Sequence, residues 1–350
     1  MAEEPPTPSS IDPYKQLRIT LNPDGTLTRV NIFPNSPPTG EESGSDSPDS
    51  VLSKDIPLNA TTNTWLRLFF PTASSTGRGA LPLIICFHGG GFILFSAASR
   101  PFHLSCCHMA REFPAVIASV EYRLAPEHRL PAAYDDAVEA IQWVQAQALD
   151  RSNGEPWLRD HVDFNSCYLM GSSSGGNIVY QAALRTVGLD LEPVEIQGFI
   201  LNQPYFGGLE RTGSELRLKD DKILSLPSND LMWELALPVG SDRNHEYCNP
   251  MLGRLDRVGE DGLLSLRGKK WLVRGYGGDP LVDRQRVFVE MLEKSGMTVV
   301  AWFDETGFHA VELFDPAKAQ TLLDHVKEFV YSSGRTIGDS SAVDSKKSAI

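Results

Sequence analysis

The chain has 350 residues, 41% hydrophobic and 22% charged, with 29 Gly and 24 Pro. That length gives room for one large domain or two small ones, and the balance excludes collagen-like, fibrous and wholly disordered chains. Asp and Glu number 45 against 32 Lys and Arg, a formal net charge of -13, so a phosphate backbone would be repelled and nucleic acid is not an expected partner.

The opening MAEEPPTPSS is acidic and Pro-rich, without the basic and apolar regions of a secretory signal. No apolar run reaches the roughly 18 residues of a spanning helix, so no membrane association is expected. Five cysteines (Cys86, Cys106, Cys107, Cys167, Cys248) form an odd set without C-x-x-C spacing. Together these features predict a cytoplasmic protein with reduced thiols.

The first strand candidate is 27–33. Residues 34–50, PNSPPTGEESGSDSPDS, are nearly free of apolar side chains and predict a flexible surface loop. Strands 64–70, 82–88 and 115–122 follow. The run Leu83-Ile84-Ile85-Cys86-Phe87 is continuously apolar, as a parallel strand buried on both faces requires. After Pro131 at a first helical position, Ala133, Ala137, Ala140, Ile141 and Val144 share one helical face. Strand 167–171 leads into a helix starting just after Ser173, and strand 196–203 comes next. Residues 207–250 break this rhythm with scattered charges, a helix start at Asn229-Asp230 and the turn-rich SDRNHEYCNP; they read as an inserted lid. Strand 270–276, a helix between 281 and 294, strand 297–304 and a helix between 317 and 331 complete the pattern, and 332–350 predict a disordered tail. Eight strands alternating with helices predict one α/β domain: a mostly parallel eight-stranded sheet with helices on both faces. No period of 20–50 residues recurs, which excludes a solenoid or propeller.

The strongest chemical signal is Gly171-Ser172-Ser173-Ser174-Gly175-Gly176-Asn177 between an apolar run and a helical run. This is G-x-S-x-G in strand-turn-helix context, which projects Ser173 above the sheet with a helix N-terminus behind it. A phosphate cradle would want a Lys after the glycines, and none follows. His88-Gly89-Gly90-Gly91-Phe92 follows the strand PLIICF, and its glycines leave backbone N–H groups open to a developing anion. A serine nucleophile needs a base and an orienting carboxylate. Asp279, in Gly277-Gly278-Asp279-Pro280 at a strand's carboxyl end, and Asp283, at the start of the next helix, both qualify as the acid. Of the eight histidines, His309 alone lies in a loop after a late strand.

These residues resemble the hormone-sensitive-lipase-like branch of the α/β-hydrolases, and within it the plant carboxylesterases. The resemblance runs from SKDIPLN at Ser53 to the last helix near Val330, through HGGGF, Glu121-Tyr122-Arg123-Leu124-Ala125-Pro126-Glu127, GSSSGGN, Gly278-Asp279-Pro280-Leu281 and Gly307-Phe308-His309. It implies Ser173 as nucleophile, Asp279 as orienting acid and His309 as base. It also implies Gly90, Gly91 and Ser174 as oxyanion donors, with Gly89 of the same loop counted beside them. A lid from about 1–25 and about 207–250 is implied as well. Many relatives carry Asp and Ala where this chain has Ser172 and Ser174. The related gibberellin receptors lack the triad histidine, which His309 supplies here.

Other features are less specific. His103, Cys106, Cys107 and His108 crowd one segment, but adjacent helical residues diverge, so no metal site is expected. Glu121-Tyr122-Arg123 and Ala125-Pro126-Glu127 read as a charge network joining a strand end to the next helix. Phe92, Phe95, Tyr205, Phe206, Trp233 and Phe308 either line a substrate pocket or fill the core; Phe92, Tyr205 and Phe308 are the candidates for substrate contact. The expected activity is hydrolysis of small to medium uncharged carboxylic esters, with a small-molecule ester as partner and no cofactor or metal. The alternative is a hormone-like small-molecule receptor on an esterase scaffold; acyl transfer to an alcohol is a third possibility.

Overall fold

A computed structural model describes residues 9–40, 51–72, 80–253 and 255–332. Strands β1 (Ile19–Leu21) and β2 (Leu27–Arg29) form a separate antiparallel hairpin. The main sheet contains β3 (Val51–Asn59), β4 (Thr64–Pro71), β5 (Leu81–Phe87), β6 (Val116–Glu121), β7 (Val162–Ser172), β8 (Ile196–Asn202), β9 (Lys270–Gly278) and β10 (Thr298–Phe308). Their order is β10-β9-β8-β7-β5-β6-β4-β3. All neighbours pair in parallel except β4, which runs antiparallel to both β3 and β6.

An eight-stranded sheet was expected, but its membership differs at one position. The candidate 27–33 shrinks to β2 in the hairpin, and β3 takes the eighth place in the sheet. Strand β3 carries Lys54, Asp55 and Pro57 and is half-exposed, so it lacks the apolar signature of the inner strands. Such a sequence fits an edge strand, where one side needs no ladder partner and Pro is tolerated. Within the expected flexible loop, Asn35 bridges to Ser99, Gly40 bridges to Ser53, and the Ser36 N–H donates to the Ala98 carbonyl at 2.9 Å. Residues 41–50, and 333–350 of the expected tail, lie outside the described residues.

Helices cover both faces. One face holds α2 (Arg100–Glu112) and α10 (Pro316–Tyr331), packed through Met109, Leu322 and Val326 against Phe69, Ile84 and Met170. The other holds α3 (Ala132–Leu149), α5 (Ser174–Thr186) and α9 (Val282–Lys294), packed through Ile141, Ile178 and Phe288 against Leu83, Ile85 and Leu169. Each such side chain contributes about 1.5–3 kcal/mol on burial. Pro131, expected at the first helical position, instead stands at the N-cap of α3, so the helix begins one residue later, at Ala132.

The irregular segment after β8 contains α6 (Gly213–Arg217) and α7 (Leu226–Ala236). Helix α7 begins earlier than Asn229-Asp230 because Ser225 caps it and Pro227 suits its first turn. Near the N-terminus, α1 (Pro13–Leu17) packs on α7. Gln16 donates to the carbonyls of Asp221 and Lys222 at 3.0 and 3.1 Å and accepts from the hydroxyls of Ser225 and Ser228. Buried ion pairing of Arg284 with Glu215 then fastens α6 to α9.

The tightest backbone approach in the sheet lies where β7 turns into α5. A Cβ on Gly175 would stand 2.0 Å from the Phe87 carbonyl oxygen, and one on Gly171 2.1 Å from that of Gly175. Both obstacles are backbone, which no rotamer change relieves. Gly171→Ala and Gly175→Ala are therefore each expected to lower stability by about 3 kcal/mol, read as a drop in the urea midpoint.

Candidate active site

Ser173 occupies the turn between β7 and α5 with φ +56° and ψ -120°, a conformation that costs about 1–3 kcal/mol for a residue with a side chain. Four backbone hydrogen bonds hold it. Its N–H donates to the Asn202 carbonyl at 2.9 Å, and its carbonyl accepts from Gly176 at 2.9 Å, Asn177 at 3.2 Å and Tyr205 at 2.9 Å. Asn177, buried in the first turn of α5, donates to the carbonyls of Tyr205 and Tyr247 and accepts from the Tyr134 hydroxyl. The helix start is thereby tied to the two segments beside it.

His309 follows the end of β10 and Asp279 follows the end of β9, so both arrive at the same sheet edge as Ser173. The Ser173 Oγ lies 3.0 Å from His309 Nε2, and His309 Nδ1 lies 3.0 Å from Asp279 Oδ2. Asp279 is fully buried, and its oxygens also accept from Gln203 Nε2 at 3.0 Å, Gln285 Nε2 at 3.1 Å and the Leu281 N–H at 2.9 Å. Burial pulls the His309 pKa down, but the charge of Asp279 and its hydrogen bond more than offset this, leaving it above the ordinary 6.5. Asp283 turns elsewhere: its Oδ2 accepts the Ser214 N–H at 2.7 Å, capping α6. The structure thus brings together Ser173, His309 and Asp279 and leaves Asp283 outside.

The Gly-rich loop after β5 lies beside this trio. Gly90 has φ +120° and a Cβ there would stand 2.3 Å from the Leu94 carbonyl oxygen, so the loop needs glycine at that point. Among the described residues, no acceptor takes the N–H of Gly90, Gly91 or Ser174. The Gly89 carbonyl accepts from His88 Nδ1 at 2.7 Å. His88 stacks on Tyr122 at 4.3 Å, and burial holds its pKa down at about 4, so the ring is neutral. Its Nε2 has no hydrogen-bond partner and faces Glu121 Oε2 at 4.0 Å. Glu121 also accepts the Ala97 N–H at 2.6 Å from the far end of the same loop, and burial pushes its pKa up to about 7. Arg123 meets Asp136 of α3 at 2.6 Å, and Glu127 pairs with Arg29 beside the hairpin.

The aromatic candidates separate. Phe92 is 1% exposed and Tyr205 0%, both sealed in a cluster with Tyr134 and Trp233. Both side chains are packed in the core rather than exposed at the surface. Phe308 is 37% exposed, with Phe314 6.0 Å away. His103 turns inward to Arg67 at 3.1 Å, and among the described residues no group of three His, Cys, Asp or Glu side chains is placed to hold a metal ion. Two surface clefts, one beside the start of β8 and one between α9 and residues 251–267, contain none of the site residues. Gln203 and Gln285 were not singled out from sequence as functional, and Asn177 was named only as the end of the Gly171–Asn177 segment. The available signal was the polar pair Asn202-Gln203 ending an apolar strand, the end at which parallel sheets bind ligands.

Comparison with known proteins shows the family of the chain. A family model described as an alpha/beta hydrolase fold matches residues 84–313. An Arabidopsis thaliana protein named "Probable carboxylesterase 8" is 54% identical over 340 residues, covering 95% of this chain and 97% of its own length. A 3-O-acetylpapaveroxine carboxylesterase of Papaver somniferum is 46% identical over 324 residues, covering 91% and 99%. A hyperthermophilic esterase from the archaeon Pyrobaculum calidifontis superimposes with a TM-score of 0.65 at 24% identity, over 81% of this chain and 84% of its own. At that identity the likeness speaks for the fold alone.

The Glu121 carboxyl gives a pH prediction. The folded state raises its pKa from 4.5 to about 7, so the stability it lends is full below about pH 4.5 and is lost as pH rises through about 7. Glu121→Gln keeps an acceptor for Ala97 and removes the charge. Urea unfolding at pH 5 and pH 8 should show wild type losing on the order of 2–3 kcal/mol more than the variant across that interval.

Proposed function

We propose, for a chain that belongs to the α/β-hydrolase fold family and within it to the plant carboxylesterases, that Ser173, His309 and Asp279 hydrolyse small to medium uncharged esters through an acyl-enzyme. The observation that carries this reading is the unbroken hydrogen-bond chain from Ser173 Oγ through His309 to a buried Asp279, beside three N–H groups without acceptors.

Ser173 Oγ attacks the ester carbonyl while His309 Nε2 takes its proton, and Asp279 holds the Nδ1–H tautomer and steadies the imidazolium. The carbonyl oxygen, now anionic, is received by the N–H groups of Gly90, Gly91 and Ser174; one such donor is worth about 10²- to 10³-fold in rate. Collapse of the intermediate expels the alcohol, which takes the proton from His309. Water then attacks the acyl-serine with His309 as base, and the acid leaves. These steps use side chains and backbone alone.

The preference for uncharged esters is supported by the local field. Asp221 and Glu312 both act to raise the His309 pKa, and the whole chain carries a net charge of -13, so an anionic ester would meet repulsion. Phe308 and Phe314 offer an apolar rim. We read α1 with 207–250 as a lid over this edge, joined through Gln16. We place the enzyme in the cytosol, a reading supported by five free cysteines; no helix among the described residues is long and apolar enough to cross a membrane.

Ser173→Ala should abolish hydrolysis of p-nitrophenyl esters and fluorophosphonate labelling while leaving the thermal melt close to wild type. Asp279→Asn should lower kcat by about 10⁴-fold, and Asp283→Asn should stay within a few-fold; the reverse ranking would move the acid's role to Asp283. Because the base must be neutral to accept a proton and its pKa is raised, kcat/KM should fall on the acid side with a midpoint above 6.5.

A further inference from the structure

The side-chain amide of Gln203 sits between the two loops that carry the proposed acid and base, and it is 1% exposed. Its Nε2 donates both hydrogens, one to Asp279 Oδ2 at 3.0 Å and one to the Phe308 carbonyl at 3.0 Å. Its Oε1 accepts the Ala310 N–H at 3.0 Å. Phe308 and Ala310 are the chain neighbours of His309, so one planar group grips the histidine from both sides and touches the aspartate directly. Only one orientation of the amide works. Flipped, it would set Oε1 against two acceptors and NH₂ against a donor.

The backbone around Gln203 extends the same grip. Gln203 has φ +47°, and its N–H donates to the Arg274 carbonyl of β9 at 2.8 Å. The preceding carbonyl, of Asn202, takes the Ser173 N–H, and two residues on, the Tyr205 N–H reaches the Ser173 carbonyl. Residues 202–205 therefore contact Ser173, Asp279 and both chain neighbours of His309. Gln285 supplies a natural comparison, since its Nε2 reaches the same Asp279 oxygen at 3.1 Å but its Oε1 has no partner.

We propose that Gln203 is a positioning residue that sets the spacing between His309 and Asp279, a role that rests on the hydrolytic reading given above. It acts through the histidine: by fixing residues on both sides of His309, it keeps Nδ1 on the carboxylate and Nε2 on the serine at once. A displacement of about 1 Å in such a geometry lowers rate by about 10²-fold.

The test compares Gln203→Leu, Gln203→Glu and Gln285→Leu in the full chain with p-nitrophenyl acetate, together with the downfield proton resonance of the His309–Asp279 hydrogen bond. Gln203→Leu should lower kcat by about 10²-fold with KM within about threefold, and should shift or broaden the downfield resonance. Gln285→Leu, which removes one donor from Asp279 and leaves the histidine loop gripped, should lower kcat at least about tenfold less. Gln203→Glu sets a carboxylate against two acceptors, so its rate relative to wild type should rise as pH falls and the new carboxyl gains a proton to donate. Wild-type kcat in Gln203→Leu overturns the proposal. So does a loss of kcat that tracks a fall in melting temperature while the resonance stays unchanged. Should Gln203→Leu fail to fold, the pH trend of Gln203→Glu decides, and a flat ratio overturns it. Failure of the hydrolytic reading itself would appear separately, as turnover retained in Ser173→Ala or absent from wild type. The resonance, read without substrate, still tests the geometry in that case.

Discussion

The left-handed turn at Ser173 is the constraint from which the rest of the site follows. A side chain in that conformation is unfavourable by itself, and it persists only because neighbouring structure supplies compensating bonds. Here these come from Asn202 and Tyr205 on one side and from the first turn of α5 on the other. Glycine at 171 and 175 allows the strand and helix to approach to backbone contact. The serine hydroxyl is thereby lifted above the carboxyl edge of the sheet, where β9 and β10 also end.

A second constraint is the buried Asp279. Removing a carboxylate from water is expensive unless its oxygens are bonded, and this one receives His309, two glutamine amides and a backbone N–H. Beneath it runs another polar network. Arg274 donates to Asn202 and His325 and pairs with Glu312, while Asn202 donates to Ser172 Oγ at 3.3 Å. Ser172 thus lies at the end of a network that includes the Arg274–Glu312 ion pair.

The loop bearing the unclaimed N–H groups depends on distant chain. Arg29 donates to the Ile93 carbonyl, Ser36 to Ala98, and Arg100 to Pro34, while Phe33 packs on Phe95 at 5.4 Å. Several of its residues have positive φ, including Phe92 at 66° and Phe95 at 74°. Such a loop is held by its surroundings rather than by local preference. The segment preceding the sheet therefore supports the site as well as contributing α1 to the proposed lid.

What the sequence by itself determined was the part governed by local periodicity and local turn chemistry. Continuous apolar runs marked the inner strands, and the glycine spacing around Ser173 and after His88 marked two strand-to-helix turns, because each of these signals is contained within a few residues. The edge strand β3 escaped because its half-exposed, Pro-containing sequence resembles a loop, and β2 was over-extended because nothing local ends it. The resemblance implied Asp279 over Asp283, and the tertiary structure supplies the geometry: Asp279 Oδ2 lies 3.0 Å from His309 Nδ1, while Asp283 turns to the Ser214 N–H. The tertiary structure also buried Phe92 and Tyr205 in the core, and it brought Gln203 to Asp279 and to the two chain neighbours of His309 across separations of 76 and 105–107 residues. Contacts at such separations depend on how strands pair in the sheet, and strand order is a property of the packed chain that no short stretch of residues encodes.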